Sequence, residues 1–374
     1  MLTIDRIRLR EIRLPLREPF EISSGTVSQR RICLAEVTSS DGAVGWGEAV
    51  TDALPNYSPE TIDTVWLAVR QWIAPRLLGR TLVGPQDVHD SLASGIQGHL
   101  MAKAMIEMAC WALTAEREEI PLAKLLGGTR RSVATGISIG IQSDPAALVD
   151  RARQAGESGY RKIKVKIRPG ADHAFIAAVR DALGAEAHLM ADANSAYTLD
   201  DADHLAGLDT FDLMMIEQPL GQDDLVRHAA LQRRLATPIC LDESITGLER
   251  AQDMVALGSG RIINIKPGRV GGFTASLRIH DFCEDAGVAV WCGGMLETGI
   301  GRAHNVALAS LPNFTTPGDL SPSARYWERD VVTPEWTMDG EGMVAVPWGE
   351  PGLGVAVDRA RIEELTIRTE LLGG

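Results

Sequence analysis

KIKVKI, at residues 162–167, is a short β-like run with a lysine at every second position. Other apolar runs precede and follow it at a spacing of about 25 residues, with helical stretches such as 144–158 and 171–183 between them. Alternating strands and helices predict parallel βαβ units, and seven units favour a closed barrel over an open sheet. The predicted strands are 134–140, 162–167, 188–193, 213–217, 238–242, 261–266 and 288–292.

The chain on either side of this array has a different pattern. The first 48 residues read as strands, while residues 61–78 and 101–116 have helical spacing. Residues 18–28 are rich in Gly and Ser, and we expect a mobile loop there. Prolines and glycines break up the chain after about residue 330. The predicted domains are an α+β domain at 1–129, a barrel at 130–329 and a segment at 330–374 that packs back on the first domain.

Composition excludes several classes of function. The formal net charge of −13 and the pI of about 5.1 oppose binding to nucleic acid or anionic lipid. No apolar run reaches the ~18 residues of a membrane span, and the N-terminus does not read as a signal peptide. The five cysteines form no CxxC pair, which predicts a reduced, cytoplasmic chain. Phosphate-loop and HxH or HExxH patterns do not occur, so we expect neither a nucleotide cofactor nor a histidine metal site.

Charged residues end five consecutive runs of the predicted barrel. In a parallel barrel these ends meet at the mouth, where active sites lie. Asp192, Glu217 and Asp242 come from neighbouring strands, and their carboxylates would repel one another unless a cation lay among them. Oxygen ligands predict Mg²⁺, with Mn²⁺ or another divalent cation as alternatives.

Two lysines complete this set. Lys166 and Lys266 end the second and sixth runs, which lie opposite each other in an eight-stranded barrel. A substrate carboxylate on the cation would have an acidified α-proton, and a neutral lysine could take it. That requires a lysine pKa below its usual value, and we expect the positive charge of Lys164, of Arg269 and of the metal to lower it.

Each of these residues has an ordinary explanation when taken alone. A KxK pair is typical of a solvated strand face, and an aspartate after a strand is typical of a helix N-cap. Their joint occurrence at consecutive strand ends favours a site. Two other classes stay open: a lysine that forms a Schiff base, for which the carboxylates would be superfluous, and a non-catalytic binding protein, for which unused buried charges would be costly.

The motifs resemble those of the enolase superfamily, in its muconate-lactonising-enzyme subgroup. KIKVKI, MADAN, MIEQP, CLDES and NIKPGRVGG match the subgroup pattern of a KxK lysine, three acids and a later lysine. The chain is more similar still to the family of o-succinylbenzoate synthase and N-succinylamino acid (N-acylamino acid) racemase. That likeness includes GWGEAV, GHLMAKAMIEMA, VWCGGMLETGIGRAHNVALASLPNFTTPGD and GLGV, and so spans nearly the whole chain.

The resemblance implies an α/β fold, a (β/α)₇β TIM-like barrel with an N-terminal α+β capping domain. The implied site residues are the metal ligands Asp192, Glu217 and Asp242; the acid/base lysines Lys166 and Lys266, with Lys164 in support; the substrate-pocket residues Ser138, Asn194, Gly293, Gly294, Met295 and Phe20; and Glu243 and Arg269 around them. Phe20 would close over the pocket, and Arg269 matches an arginine of racemase-capable members. The loop near Asp52 varies in the family, which leaves acyl and side-chain preference open.

Two reactions fit the family. One is dehydration to o-succinylbenzoate, a step of menaquinone biosynthesis, with Lys166 as base and Lys266 as a cationic stabiliser. The other is racemisation of an N-acylamino acid, with one lysine on each face, and Arg269 favours a protein capable of both. Sugar-acid dehydratases carry a histidine after the seventh strand, where this chain has Trp291–Gly294. Dipeptide epimerases carry an acidic DxD pair near the last strand. We place the corresponding region of this chain at GGMLETG, residues 293–299, which disfavours a site for a peptide ammonium group.

Dipeptide epimerase and cycloisomerase activities stay as alternatives within the subgroup. The expected partner is a small carboxylate substrate, with no nucleic acid and no membrane, and we expect a homo-oligomer.

Overall fold

The alternating start of the chain forms an antiparallel sheet in the computed structural model, which describes residues 1–22 and 25–374. Its strands are β1 (Leu2–Ile22), β2 (Gly25–Ser39), β3 (Val44–Ala49) and β4 (Thr81–Leu82). Strand β2 lies between β1 and β3, and β4 pairs with the start of β1. Ile7, Leu9 and Ile12 are fully buried between charged neighbours, as expected for a sheet with one covered face.

The loop predicted at residues 18–28 is wrong for the residues described, because they form strands. β1 and β2 stay paired beyond an irregularity after Pro15, with Phe20 opposite Val27 and Glu21 opposite Thr26. We call this two-stranded extension, residues 18–22 and 25–28, the arm. Ser23 and Ser24 lie outside the described residues. Cross-strand pairing outweighs the loop-like composition of the segment.

The helices of the first domain cover the sheet. They are α1 (Ile62–Ala68), continued by a π-helical turn (Val69–Ile73) and α2 (Ala74–Leu77), then α3 (Gln86–Ala93), α4 (Leu100–Arg117) and α5 (Leu122–Leu125). Gly45 and Gly47 allow β3 to touch α4, because a Cβ on either would lie about 2.0 or 1.9 Å from a helix carbonyl oxygen. None of the described helices combines the length and apolar character of a membrane span.

The predicted barrel is confirmed, and all seven predicted runs contain a strand. A short strand, β5 (Ser132–Ala134), comes first and lies outside the barrel sheet. The barrel strands are β6 (Gly136–Ile139), β7 (Lys162–Lys166), β8 (Leu189–Asp192), β9 (Ile216–Glu217), β10 (Ile239–Leu241), β11 (Ile262–Ile265) and β12 (Ala289–Cys292). β6 to β12 form one parallel sheet in chain order. Parallel bridges from Phe314 to Val290 and from Gly318 to Thr135 close it, so residues 314–318 take the eighth position.

Helices alternate with these strands on the chain. They are α6 (Pro145–Glu157), α7 (His173–Leu183), α8 (Ala202–Ala206), α9 (Leu225–Gln232), α10 (Leu248–Leu257), α11 (Pro267–Val270), α12 (Phe273–Asp285) and α13 (Gly299–Ala309). Short 3₁₀ turns flank α8 at Leu199–Asp201 and Gly207–Phe211, and another lies at Ser323–Arg325.

The end of the chain returns to both earlier parts. Its elements are β13 (Val332–Thr333), β14 (Met343–Ala345), β15 (Ala356–Val357), α14 (Arg359–Leu365) and β16 (Thr366–Gly373). β16 pairs with β1, and β14 pairs with β5 at the start of the barrel region. The domain bounds at 129/130 and 329/330 stay a prediction.

Two buried glutamates of the first domain join it to the barrel. Glu107 of α4 accepts hydrogen bonds at the N-terminus of α12, from the backbone nitrogens of Phe273 at 2.7 Å and Thr274 at 2.9 Å and from the Thr274 hydroxyl at 2.6 Å. Glu48 of β3 does the same for α13, where the Thr298 hydroxyl lies at 2.6 Å and the Gly301 nitrogen at 3.0 Å. Free backbone N–H groups and the helix dipole both favour a carboxylate there.

The change Glu107→Ala is expected to lower the free energy of unfolding by about 3 kcal/mol, because it leaves several buried donors without an acceptor. Denaturant unfolding followed by fluorescence and circular dichroism measures the change. Glu116→Ala, on an exposed position of the same helix, is the matched control and should change it by less than about 0.5 kcal/mol. Equal effects of the two substitutions would show that the helix cap does not hold the domains together.

Candidate active site at the barrel mouth

Three carboxylates predicted as metal ligands end neighbouring strands. Asp192 ends β8 and Glu217 ends β9, and their Cα atoms are direct partners in the sheet. Asp242 directly follows β10, two residues after Cys240, which is the partner of Glu217. All three side chains are buried, with at most 1% exposure. Strand register thus brings the acids together in an interior where charge needs compensation.

The lysines of β7 compensate two of these acids. The Nζ of Lys166 lies 2.6 Å from Asp192 Oδ2 and 2.6 Å from Asn194 Oδ1. The Nζ of Lys164 lies 3.4 Å from Asp192 Oδ2 and 3.2 Å from Glu217 Oε2. Lys164 therefore places an ammonium between two carboxylates, as the two-residue alternation of a strand allows.

The third acid has its own cations on the opposite side of the barrel. Lys266, directly after β11, places its Nζ 2.8 Å from Asp242 Oδ2. Arg269, in α11, pairs with Asp242 Oδ1 and also donates to the Ile245 carbonyl oxygen at 2.8 Å. Arg269 is only 4% exposed, so it does not pair with a surface acid. Its position beside Lys266 and Asp242 makes it part of the site.

The pKa values of these crowded acids shift in opposite directions. Burial opposes the charged form of Asp192, yet Lys166 and then Lys164 hold its pKa well below the usual value. Burial, followed by the charge of Asp192, raises the pKa of Glu217 to about 7. Burial, followed by the charges of Asp242 and Asp192, raises the pKa of Glu243 to about 8. Each of these buried acids therefore depends on nearby positive charge to stay ionised.

Among the protein's own groups, the expected lowering of a lysine pKa is not found at Lys266. Burial alone would lower its pKa, but the charge of Asp242, followed by that of Tyr57, raises it above the usual value. The carboxylate lies 2.8 Å from the amine and outweighs the neighbouring cations. In this arrangement Lys266 is a protonated group.

The donor set nevertheless fits a divalent cation. Across residues 1–22 and 25–374, no group of three or more His, Cys, Asp or Glu side chains lies close enough together to hold a metal ion unaided. Each acid is instead paired with an ammonium or guanidinium group. The Lys164 ammonium lies between the carboxylates of Asp192 and Glu217, at a position where a cation can contact both. Buried carboxylate oxygens from three neighbouring strand ends are the kind of ligand that Mg²⁺ or Mn²⁺ prefers.

One cavity of about 80 Å³ lies over these groups. Lys164, Lys166 and Lys266 all line it, as do five of the six predicted pocket residues: Phe20, Ser138, Asn194, Gly294 and Met295. Gly293 lies against Lys266 instead, and a Cβ there would come within 2.7 Å of the lysine Cε. Glu243 accepts a hydrogen bond from the Asn194 amide at 3.0 Å. Phe20 reaches the cavity from the arm.

Backbone strain is concentrated after the strands that carry these groups. Asn194, Gln218 and Leu296 have φ angles of 42°, 39° and 58°, in the left-handed region that non-glycine residues avoid. Gln218 holds the next strand end, because its Oε1 accepts from the backbone nitrogens of Asp242 at 3.0 Å and Ser244 at 3.2 Å. Such strain is typical of functional sites held by their surroundings.

Two residues of the site were missed in the sequence. Tyr57, from the loop between β3 and α1, donates to Asp242 Oδ1 at 3.0 Å. Asp319 places Oδ2 2.6 Å from the Nζ of Lys164 and Oδ1 3.4 Å from that of Lys162. The fully buried amine of Lys162 also lies 3.4 Å from the centroid of the Trp291 ring. Asp319 ends the quoted motif NFTTPGD, which was the available signal, whereas Tyr57 lies in a loop with no pattern of its own.

The position of the last strand was also wrong. GGMLETG follows β12, the seventh strand of the barrel. Residues 314–318 take the eighth position, and Asp319 directly follows them. An acid therefore does stand where a peptide ammonium could be bound. Its carboxylate is already shared by Lys162 and Lys164, which opposes that use.

Comparisons with known proteins agree with this geometry. Residues 147–361 match the family described as enolase C-terminal domain-like, and residues 5–127 match the mandelate racemase / muconate lactonizing enzyme N-terminal domain. The chain is 48% identical to the o-succinylbenzoate synthase of Geobacillus kaustophilus, over 98% of this chain and 96% of that protein. It is 45% identical to the N-succinylamino acid racemase of Thermus thermophilus, over 97% of each chain.

A solved structure of an enolase-superfamily member from Listeria innocua has the same architecture. It superposes with a TM-score of 0.96 at 39% identity, over 100% of this chain and 99% of that chain.

Asp319→Asn is expected to lower the free energy of unfolding by about 3 kcal/mol, because two buried ammonium groups lose their shared counter-charge. The midpoint and slope of urea unfolding measure this. Asp253→Asn serves as the control, since that side chain is exposed on α10. A change no larger than that of the control would mean that Lys162 and Lys164 do not depend on Asp319.

Proposed function

The chain belongs to the enolase-type family of mandelate racemase and muconate lactonizing enzyme, and from this premise we propose that it removes the proton next to a substrate carboxylate. The specific reactions proposed are dehydration to o-succinylbenzoate, racemisation of N-succinylamino (N-acylamino) acids, or both. The relatives at 45–48% identity carry these two names. A small carboxylate is thus the proposed substrate, and a homo-oligomeric, cytoplasmic enzyme stays the expectation.

One observation supports the proposal most directly. The amines of Lys166 and Lys266 line a single cavity from the second and sixth strands of the barrel, with three buried carboxylates below them. A carbon acid in that cavity would have an amine on each side. Neither a Schiff-base lysine nor a binding protein requires this pairing of two amines with three acids.

We assign Asp192, Glu217 and Asp242 as the residues that would hold the metal ion, generally Mg²⁺ in this superfamily. When bound, the ion supplies positive charge that stabilises the negative charge developing on the substrate carboxylate. Lys164, held by Asp319, stays charged beside the same carboxylates and can bind a substrate carboxylate oxygen. The buried, water-poor floor strengthens each of these interactions.

The two lysines move the proton. In dehydration, Lys166 takes the α-proton and returns it to the departing β-hydroxyl, which leaves as water, while Lys266 remains a cation that stabilises the intermediate formed by proton loss. In racemisation, one lysine takes the proton from one face and the other returns a proton to the opposite face. Lys166 is oriented by Asp192 and Asn194, and Lys266 by Asp242 and Tyr57, so each base has its own partners.

Other activities of the subgroup are less well supported. A dipeptide epimerase needs an acid for the peptide ammonium, and the candidate, Asp319, is engaged by two lysines. A cycloisomerase or a non-catalytic binding protein stays an alternative that the assay below excludes or supports.

The purified protein with Mg²⁺ is expected to form o-succinylbenzoate, to exchange the α-proton of N-succinylamino acids in D₂O, or to do both. Lys166→Ala should lose dehydration by roughly 10²–10⁴-fold, and Lys266→Ala should lose racemisation to a similar extent, because each removes a general acid or base. Product formation by absorbance and exchange by NMR are the measurements. Lys124→Ala, at an exposed helix position, is the control and should retain activity. Absence of both reactions in the unaltered protein would refute the proposal.

Chelation is expected to abolish both activities, and Mg²⁺ or Mn²⁺ should restore them, because the buried acids repel one another without a cation. Asp192→Asn, Glu217→Gln and Asp242→Asn should each weaken Mn²⁺ binding by about tenfold or more, measured by electron paramagnetic resonance. Asp200→Asn, on an exposed turn, is the control. Unchanged Mn²⁺ affinity in all three variants would place the metal elsewhere.

A further inference from the structure

Tyr57 brings a side chain of the capping domain into contact with one base. Its hydroxyl lies 3.2 Å from the Nζ of Lys266 and 3.2 Å from Nη1 of Arg269, and it donates to Asp242 Oδ1 at 3.0 Å. The same amine lies 4.6 Å from the centroid of the Tyr57 ring. Tyr57 also lines the cavity. The amine of Lys266 is therefore contacted by both the ring and the hydroxyl.

The two bases differ in this respect. Lys166 is held by Asp192 Oδ2 and Asn194 Oδ1, each at 2.6 Å, and in the described part of the chain it has no aromatic ring beneath its amine. Lys266 has Asp242 and Tyr57 as its hydrogen-bond partners. Because Asp242 is assigned to the metal, Tyr57 is the partner of Lys266 that has no other assigned role.

The loop that carries Tyr57 is anchored on both sides. Asp52, near its start, forms an ion pair with the buried Arg30, which also donates to the Thr51 carbonyl oxygen at 3.2 Å. The Asp52 carbonyl oxygen accepts from the backbone nitrogen of Ile62 at 3.2 Å, which ties the loop to α1. These contacts limit where the Tyr57 hydroxyl can lie.

We propose that Tyr57 is a positioning residue for Lys266 and that it governs proton transfer on one face of the substrate α-carbon only. This inference rests on the proposed two-base function. A lysine amine sits on a flexible four-carbon stem, and proton transfer needs it within hydrogen-bond reach of the α-carbon. A ring and a hydroxyl that contact the amine together restrict its motion, and a misplaced amine loses rate steeply.

The test is Tyr57→Phe, which keeps the ring and removes the hydroxyl. Each enantiomer of an N-succinylamino acid is incubated separately in D₂O with enzyme and Mg²⁺, and NMR with chiral chromatography separates exchange with retention from inversion. For the enantiomer whose α-proton faces Lys166, retention exchange should stay within about twofold while inversion falls by roughly tenfold or more. For the other enantiomer, both exchange and inversion should fall together.

Tyr197→Phe is the matched control, because its hydroxyl also donates to an aspartate, Asp172 Oδ2 at 2.8 Å, at the N-cap of α7. It should alter the two faces equally or not at all. A Tyr57→Phe enzyme with unchanged exchange, or with equal loss on both faces, overturns the inference. The Mn²⁺ affinity of the Tyr57→Phe enzyme should equal that of the unaltered enzyme. A loss of Mn²⁺ affinity that parallels the loss of exchange also overturns the inference. An unaltered enzyme that exchanges neither enantiomer would instead refute the proposed racemase function.

Discussion

The crowding of buried carboxylates at the strand ends is the constraint on which the rest of the site depends. Asp192, Glu217 and Asp242 are placed side by side by strand register, and no solvent reaches them. In such an interior every acid needs a counter-charge or must take up a proton. Lys164, Lys166, Lys266 and Arg269 supply this counter-charge in the structure, and burial still raises the pKa of Glu217 to about 7. A divalent cation among the three acids would compensate their charge in the same way.

The capping domain is part of the catalytic arrangement as well as its cover. Its glutamates Glu48 and Glu107 bind the N-termini of α13 and α12, so the two domains share buried polar contacts that a rigid-body shift would break. Phe20 and Tyr57 reach the cavity from that same domain. The position of a hydroxyl beside Lys266 therefore depends on contacts between the capping domain and the barrel helices.

Features local in sequence were predictable, and features that depend on distant contacts were not. Asp192 and Lys266 end short apolar runs, and strand periodicity alone places such residues at a barrel mouth. Tyr57 meets Asp242 across 185 positions, and the loop that carries Tyr57 has no periodicity to reveal the contact. The arm looked like a loop because Gly and Ser dominate locally, whereas its strands are stabilised by each other. The raised pKa of Lys266 likewise reflects a carboxylate 24 residues away.

If Asp242 holds the metal ion as proposed, it couples the metal position to acid–base chemistry. In the proposed roles, dehydration needs Lys266 as a cation, and racemisation needs it to alternate between its two protonation states. While the carboxylate of Asp242 lies 2.8 Å from the amine, it favours the protonated form. A cation bound to Asp242 would weaken the attraction between this carboxylate and the Lys266 ammonium. The pKa of Lys266 would then fall, and its neutral form would be more populated. How Asp242 divides its charge between the cation, Arg269 and Lys266 therefore determines how well one site can serve both reactions.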